Sequence, residues 1–246
     1  MTAAPVSKTT RCRWWWALWG LMAVLAVGIA GYAVPPYLTG NSADSNVPTD
    51  PDVAAHYLFL GVHAVFAGLA LIIGSLQFVT RLRVTRPKLH RVLGRVYMIS
   101  IVIASVAAVF LAAVTLGGFA LQVAFYMLAV AWLYTLTMAY RCIRRGEVQL
   151  HRIWMIRNYA LTFAAVTLRI YLLLGLQLKP PSTSLEFDAI YTASGWASIL
   201  GNVLVAEYFI IQRTLAPLAR RRQRQESAPA ATPVAAGQGD QGVFQK

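Results

Sequence analysis

Long apolar stretches alternate with short polar ones along almost the whole chain. Six stretches stand out, at about residues 14–34, 53–79, 92–116, 119–140, 153–178 and 189–211. A bilayer core takes about 20 apolar residues per helix, so each stretch predicts a membrane-spanning helix. The pattern predicts an all-α polytopic integral membrane protein, a bundle of six transmembrane helices with a four-helix core. Three regions follow from it. Residues 1–52 form an N-terminal anchor helix and an outer loop, and residues 53–212 a five-helix membrane domain. Residues 213–246 form a basic tail that reads as disordered, being rich in Ala, Pro, Gln and Gly.

Composition agrees with this pattern. Hydrophobic residues make up 58% of the chain and charged residues only 13%, where a soluble domain carries about 25% charged residues. So few charges cannot cover a water-soluble globule. The net charge of +13 does not point to nucleic acid, because the basic residues lie at the edges of the apolar segments. One set of alternating loops holds Lys8, Arg11, Arg13, the cluster from Arg81 to Arg95, and Arg141, Arg144, Arg145, Arg152 and Arg157, with more arginines in the tail. The opposite set holds Lys179 against Asp44, Asp50, Asp52, Glu186 and Asp188. The positive-inside rule then predicts a multi-pass protein of the bacterial inner membrane with both termini cytoplasmic. The first apolar run is longer than a signal-peptide core and starts with tryptophans, so it reads as a retained helix. Cys12 and Cys142, both beside arginines, are expected to be reduced cytoplasmic thiols.

The tripeptide Leu-His-Arg occurs twice, in "LHRVLGRVY" from Leu89 and "LHRIWMIRNY" from Leu150. His90 and His151 therefore begin the third and fifth spans, each after a basic loop, and the two helix pairs read as copies of one hairpin. Together with Arg91 and Arg152, these histidines are candidate contacts for lipid phosphates of the inner leaflet, since helix N-termini and arginines both attract anions. They are also haem or metal candidates, because two histidines at equal depth on different helices can hold one iron from opposite faces.

The other two histidines, His56 and His63, lie seven apart on the second span and share a face. They are about 10.5 Å apart along the axis, too far to be both axial ligands of one haem. On the fifth span, His151, Asn158, Thr162 and Arg169 fall near one helical angle. Arg169 is about 13 Å inside the apolar run, and an arginine at that depth should face the bundle interior or a wet cavity. His63 and Gln122 lie in the same half of the membrane. His56, His63, Gln122, Asn158 and Arg169 are thus the ligand-binding candidates. Arg157 and Glu207, at matching depth on the fifth and sixth spans, are candidates for a helix-locking pair.

Three stretches, "FLGVHAVFAGLALIIGSLQFVTRLR", "LHRVLGRVY" and "LHRIWMIRNYALTFAAVTLRIYL", resemble a family of predicted bacterial membrane proteins known only as a domain of unknown function. The resemblance covers roughly residues 55–212 and implies a topology rather than an activity. More loosely the layout resembles b-type membrane cytochromes, which hold haem with histidines on a four-helix core, although here the fourth span supplies no histidine. No Walker loop, Rossmann glycine pattern, zinc-protease helix or nucleophile elbow occurs, which leaves enzymatic activity open. The leading reading is a helix bundle that binds haem b, a quinone or another small anionic or redox ligand for membrane electron transfer. The alternatives are a small-solute transporter or channel, and a non-catalytic scaffold. The expected partners are the lipid bilayer, anionic inner-leaflet lipids and a small hydrophobic or anionic ligand, not nucleic acid.

Overall fold

A computed structural model describes residues 8–47, 49–178 and 186–212, with Ala219 and Gln223. Lys179, Arg213, the arginines at 220–222 and 224, and nearly all of the tail lie outside the described residues, as does the side chain of Cys12.

The described residues contain helices and no strands. They form α1 (Lys8–Ala33), α2 (His56–Gln77), α3 (Thr80–Thr85), α4 (Pro87–Ala113), α5 (Gly118–Arg144), α6 (Val148–Leu178) and α7 (Phe187–Ile210). Six of these helices, all but α3, are long and apolar enough to cross a membrane. The chain is a multi-pass helical membrane protein. Helices suit this environment because hydrocarbon offers no partner to a backbone N–H or C=O, and a helix satisfies both within itself.

The helix ends follow local chemistry. Arg86 is pushed out of helical conformation (φ −133°, ψ 65°) because Pro87 follows it. Proline then opens α4, where its missing N–H is no loss. Gly118 and Gly146 adopt φ +79° and +77°, a left-handed conformation that glycine enters without steric penalty, and so make the turns into α5 and α6. Two features differ from the hydropathy reading. The basic loop after α2 is partly helical, as α3. Helices α1, α4 and α6 extend back through their arginine-bearing lead-ins, since a charged side chain at the interface can reach water while its backbone stays helical.

Helices α2, α4, α5 and α6 close a four-helix ring, each packing on the next and α6 on α2. Helix α1 packs on α2 and α6, and α7 on α6 and α5. The core joins Leu71, Tyr97, Ile101, Trp132, Leu136, Tyr159, Leu161 and Val166. Outward faces are apolar: Val106, Val130, Leu173, Leu204 and Val205 are all exposed, as contact with lipid tails requires. Arginines of α3, the start of α4, the end of α5 and the start of α6 mark one end of the bundle. The α1–α2 connection, with short 3-10 turns at Pro35–Tyr37 and Ser42–Asp44, caps the other.

Close packing depends on Gly74. A Cβ there would run into the rings of Tyr159 and Tyr97, both buried. The structure therefore predicts that Gly74→Ala lowers stability by about 1–3 kcal/mol, the usual range for overpacking a core. Gly28→Ala, where nothing lies within 4 Å, should be neutral or slightly stabilising. Thermal unfolding in detergent compares the two, and equal effects would contradict this packing.

Candidate functional site

Asn158 is the centre of the buried polar core. It is fully buried on α6. Its Nδ2 donates to the Trp132 carbonyl at 2.8 Å and to Thr135 Oγ1 at 2.9 Å, both on α5. Its Oδ1 accepts from the Tyr97 hydroxyl on α4 at 2.7 Å. Thr162, one turn further along α6, accepts from Trp132 Nε1 at 2.9 Å and lies 3.1 Å from the Tyr97 oxygen. Tyr159 adds α2 by donating to the Leu71 carbonyl at 3.0 Å. The four ring helices are thus tied by Asn158, Tyr159 and Thr162, within little more than one turn of α6, with Asn158 and Thr162 four residues apart on one face and Tyr159 turned towards α2.

Towards the end opposite the arginines, a cavity of about 580 Å³ opens above this network. Trp132 and Thr162 belong to both, so Asn158 lies one layer behind the cavity wall and not in it. The walls are mainly apolar, including Leu60, Leu111, Phe125, Leu128 and Leu168. The polar groups include His56, His63, Arg169, Asp188, Tyr191 and Asn46. A volume of about 300–1,000 Å³ with apolar walls and a few polar groups is typical of small-molecule sites.

The polar groups have distinct roles. His63 Nδ1 lies 3.0 Å from the Ala104 carbonyl, which can only accept, so Nδ1 carries the proton and the neutral ring keeps an accepting lone pair on Nε2. His56 Nδ1 accepts the Asp50 backbone N–H at 2.9 Å, so its Nε2 is the donor. Arg169 Nη1 donates to the Ala165 carbonyl of its own helix at 2.7 Å. Among the described residues Arg169 makes no ion pair, and its charge acts on His63. A cation, an imidazole acceptor and an imidazole donor therefore line one cavity. Such a set can polarise an oxygen acceptor and take a proton from a hydroxyl.

The remaining candidates lie elsewhere. Gln122 does not line the cavity, which corrects the sequence expectation that it would join His63 and Arg169. Its Nε2 instead reaches the Ala113 carbonyl at 3.4 Å across the turn between α4 and α5. Depth along a helix, all that the sequence supplies, does not say which way a side chain turns. Cavity residues that sequence reasoning missed include Asp188, Tyr191 and Asn46, whose surroundings in loops or at a helix start carry no periodic signal. At the arginine-rich end, His151 Nδ1 donates to the Ala139 carbonyl at 2.8 Å. Arg91 Nε bends back to the Pro87 carbonyl at 3.4 Å. Arg83 lies close enough to Arg152 that burial and then the charge of Arg152 hold its guanidinium below its ordinary range. Arg157 meets Glu207 through two prongs of 2.5 and 3.0 Å and lies 4.7 Å over the Trp154 ring, joining α6 to α7.

Asn158 has no substitute in this setting. Replacing it with Leu removes three interhelical bonds, and leaves the Tyr97 hydroxyl with Thr162 Oγ1 and the Trp132 carbonyl with Thr135 Oγ1 as their remaining side-chain partners. The expected loss is about 1–3 kcal/mol, the sum of modest contributions from three bonds between membrane helices. Thermal unfolding of purified Asn158→Leu checks this, and an unchanged midpoint would count against the network as a structural tie.

No curated protein and no solved structure matches the chain. A family model described as a predicted membrane protein (DUF2306) matches residues 60–210, from the cavity-lining stretch of α2 to the end of α7. By that match, which spans more than half of its length, the chain belongs to the DUF2306 family of predicted membrane proteins.

Proposed function

We propose that this chain binds a quinone or quinol in the cavity as a component of membrane electron transfer. The observation that carries the reading is Arg169, a membrane-embedded cation without an ion-pair partner among the described residues, lining the same cavity as His63. An ionisable group within a span marks a functional site by default. Arg169 and His56 Nε2 are donors suited to quinone oxygens, and His63 Nε2 is an acceptor suited to a quinol hydroxyl. The apolar walls suit a ring and the start of a prenyl tail. Haem b fits the cavity less well, because its described lining histidines, His56 and His63, both belong to α2. A clamp from two helices would need a histidine opposite them.

The arginine asymmetry supports a bacterial inner-membrane location with the arginine-rich end and both termini in the cytoplasm. The cavity then belongs to the outer half of the bilayer. Reporter fusions at Ser45 and at the C-terminus are expected to report outside and inside respectively, and an external C-terminus would reverse this orientation.

The ligand reading is tested on purified protein by solvent extraction and by absorbance before and after dithionite. Wild type should release a quinone with a reducible ultraviolet band. Arg169→Lys keeps the charge and loses the planar fork, so it should retain at least about tenfold less ligand while still inserting and staying monodisperse. His63→Ala should weaken the same ligand, and the double variant should be no worse than the poorer single one, since both act on one group. A Soret band would assign haem b instead. Full retention in both single variants would make the pocket structural.

A further inference from the structure

The end of the bundle away from the cavity holds a second collection of polar groups that the quinone reading does not use. Two buried nitrogens there, Gln77 Nε2 at the end of α2 and His90 Nδ1 in the first turn of α4, have no hydrogen-bond partner. Buried polar atoms are almost always paired, so two unpaired ones in one region call for an explanation. They belong together. The Gln77 side chain runs beside α4, with its Oε1 3.9 Å from where a Cβ on Gly94 would sit. Gly94 is one turn beyond His90 on the same face.

Charge gathers round the same place. His90 is within electrostatic reach of Arg83 on α3 and of His151 on α6. Arg83 is in turn within reach of Arg152. Neither arginine makes an ion pair among the described residues. Like charges held near one another without a carboxylate are stabilised by an anion between them. His151 fixes its Nδ1 on Ala139 and leaves Nε2 free. Both histidines lie in the first turn of a long helix, where backbone N–H groups and the helix dipole favour negative charge.

We propose that Gln77, Arg83, His90, His151 and Arg152 form a binding site for a phosphate group at the arginine-rich end of the bundle. The guanidiniums supply charge and the fork geometry that suits phosphate oxygens. Gln77 Nε2 and His90 Nδ1–H supply the buried donors, which now have a partner. The phosphate belongs either to an anionic lipid headgroup or to a free phosphate-bearing solute. The site lies at the opposite end from the quinone cavity and does not depend on its ligand.

The test uses the full chain in nanodiscs of phosphatidylcholine alone, of phosphatidylcholine with phosphatidylglycerol, and of phosphatidylcholine with inorganic phosphate added. Tryptophan-fluorescence unfolding and native mass spectrometry read binding. A response to phosphatidylglycerol alone identifies a lipid headgroup, and a response to inorganic phosphate in neutral discs identifies a free phosphate. Gln77→Leu should weaken the responding probe roughly tenfold, the value of one hydrogen bond to a charged group. It should leave the unfolding midpoint in neutral discs unchanged or higher, because it removes a buried unpaired donor. His90→Phe should weaken binding similarly. If it fails to fold, Gln77→Leu decides alone. Arg91→Gln, whose guanidinium turns back on its own helix, should change affinity less than about twofold. A response to neither probe overturns the site. So does an affinity unchanged in Gln77→Leu, or a loss as large in Arg91→Gln, because either result would reduce the attraction to general surface charge.

Discussion

Asn158 must satisfy its amide where no water can help it, and the arrangement of the ring helices follows from how it does so. Its two ends take partners from α4 and α5, and Thr162 and Tyr159 on the same helix extend the ties to Trp132 and to α2. In lipid there is little hydrophobic drive between helices, since tails are as apolar as leucine. Directional hydrogen bonds and close packing must therefore decide which faces meet. Gly74 permits the close approach, Tyr97 and Tyr159 occupy it, and their hydroxyls then meet their acceptors. The outer helices use the same device more sparingly. Trp19 donates to the Ser75 carbonyl, and Asn202 to the Ala160 carbonyl.

This hydrogen-bonded layer divides the molecule. Above it lies a cavity whose lining includes Trp132 and Thr162. Below it, the α2–α4 and α5–α6 hairpins bring their basic ends together, so that His90 lies within reach of His151. The two halves present different chemistry. The cavity combines apolar walls with one cation, the Asp188 carboxylate and two imidazoles of opposite hydrogen-bonding sense. The basic end combines several cations with buried donors.

Much of this was legible in the residue order. Runs of about 20 apolar residues can only be satisfied as helices in hydrocarbon, so the all-helical, six-span architecture follows from composition and length alone. The family match over residues 60–210 agrees with that reading. The depth of Arg169 and the shared face of Asn158, Thr162 and Arg169 follow from the 3.6-residue period of a helix. Periodicity also put Arg157 and Glu207 at matching depth, where the structure forms their two-pronged contact.

What the tertiary structure decided is which helices neighbour which and how each is rotated. Gln122 lies in the same half of the membrane as His63 and Arg169, yet it turns to the α4–α5 connection, because a hydropathy pattern carries no information on rotation about the helix axis. The opposite roles of His56 and His63 also lay beyond the sequence. Each ring's free nitrogen is set by the group its Nδ1 meets, Asp50 N–H in one case and Ala104 C=O in the other. The unpaired nitrogens of Gln77 and His90 became visible only once α2 and α4 were laid side by side. Residue order determines how far along its own helix a group sits. Only packing determines what it faces, because contacts between helices join residues far apart in the chain.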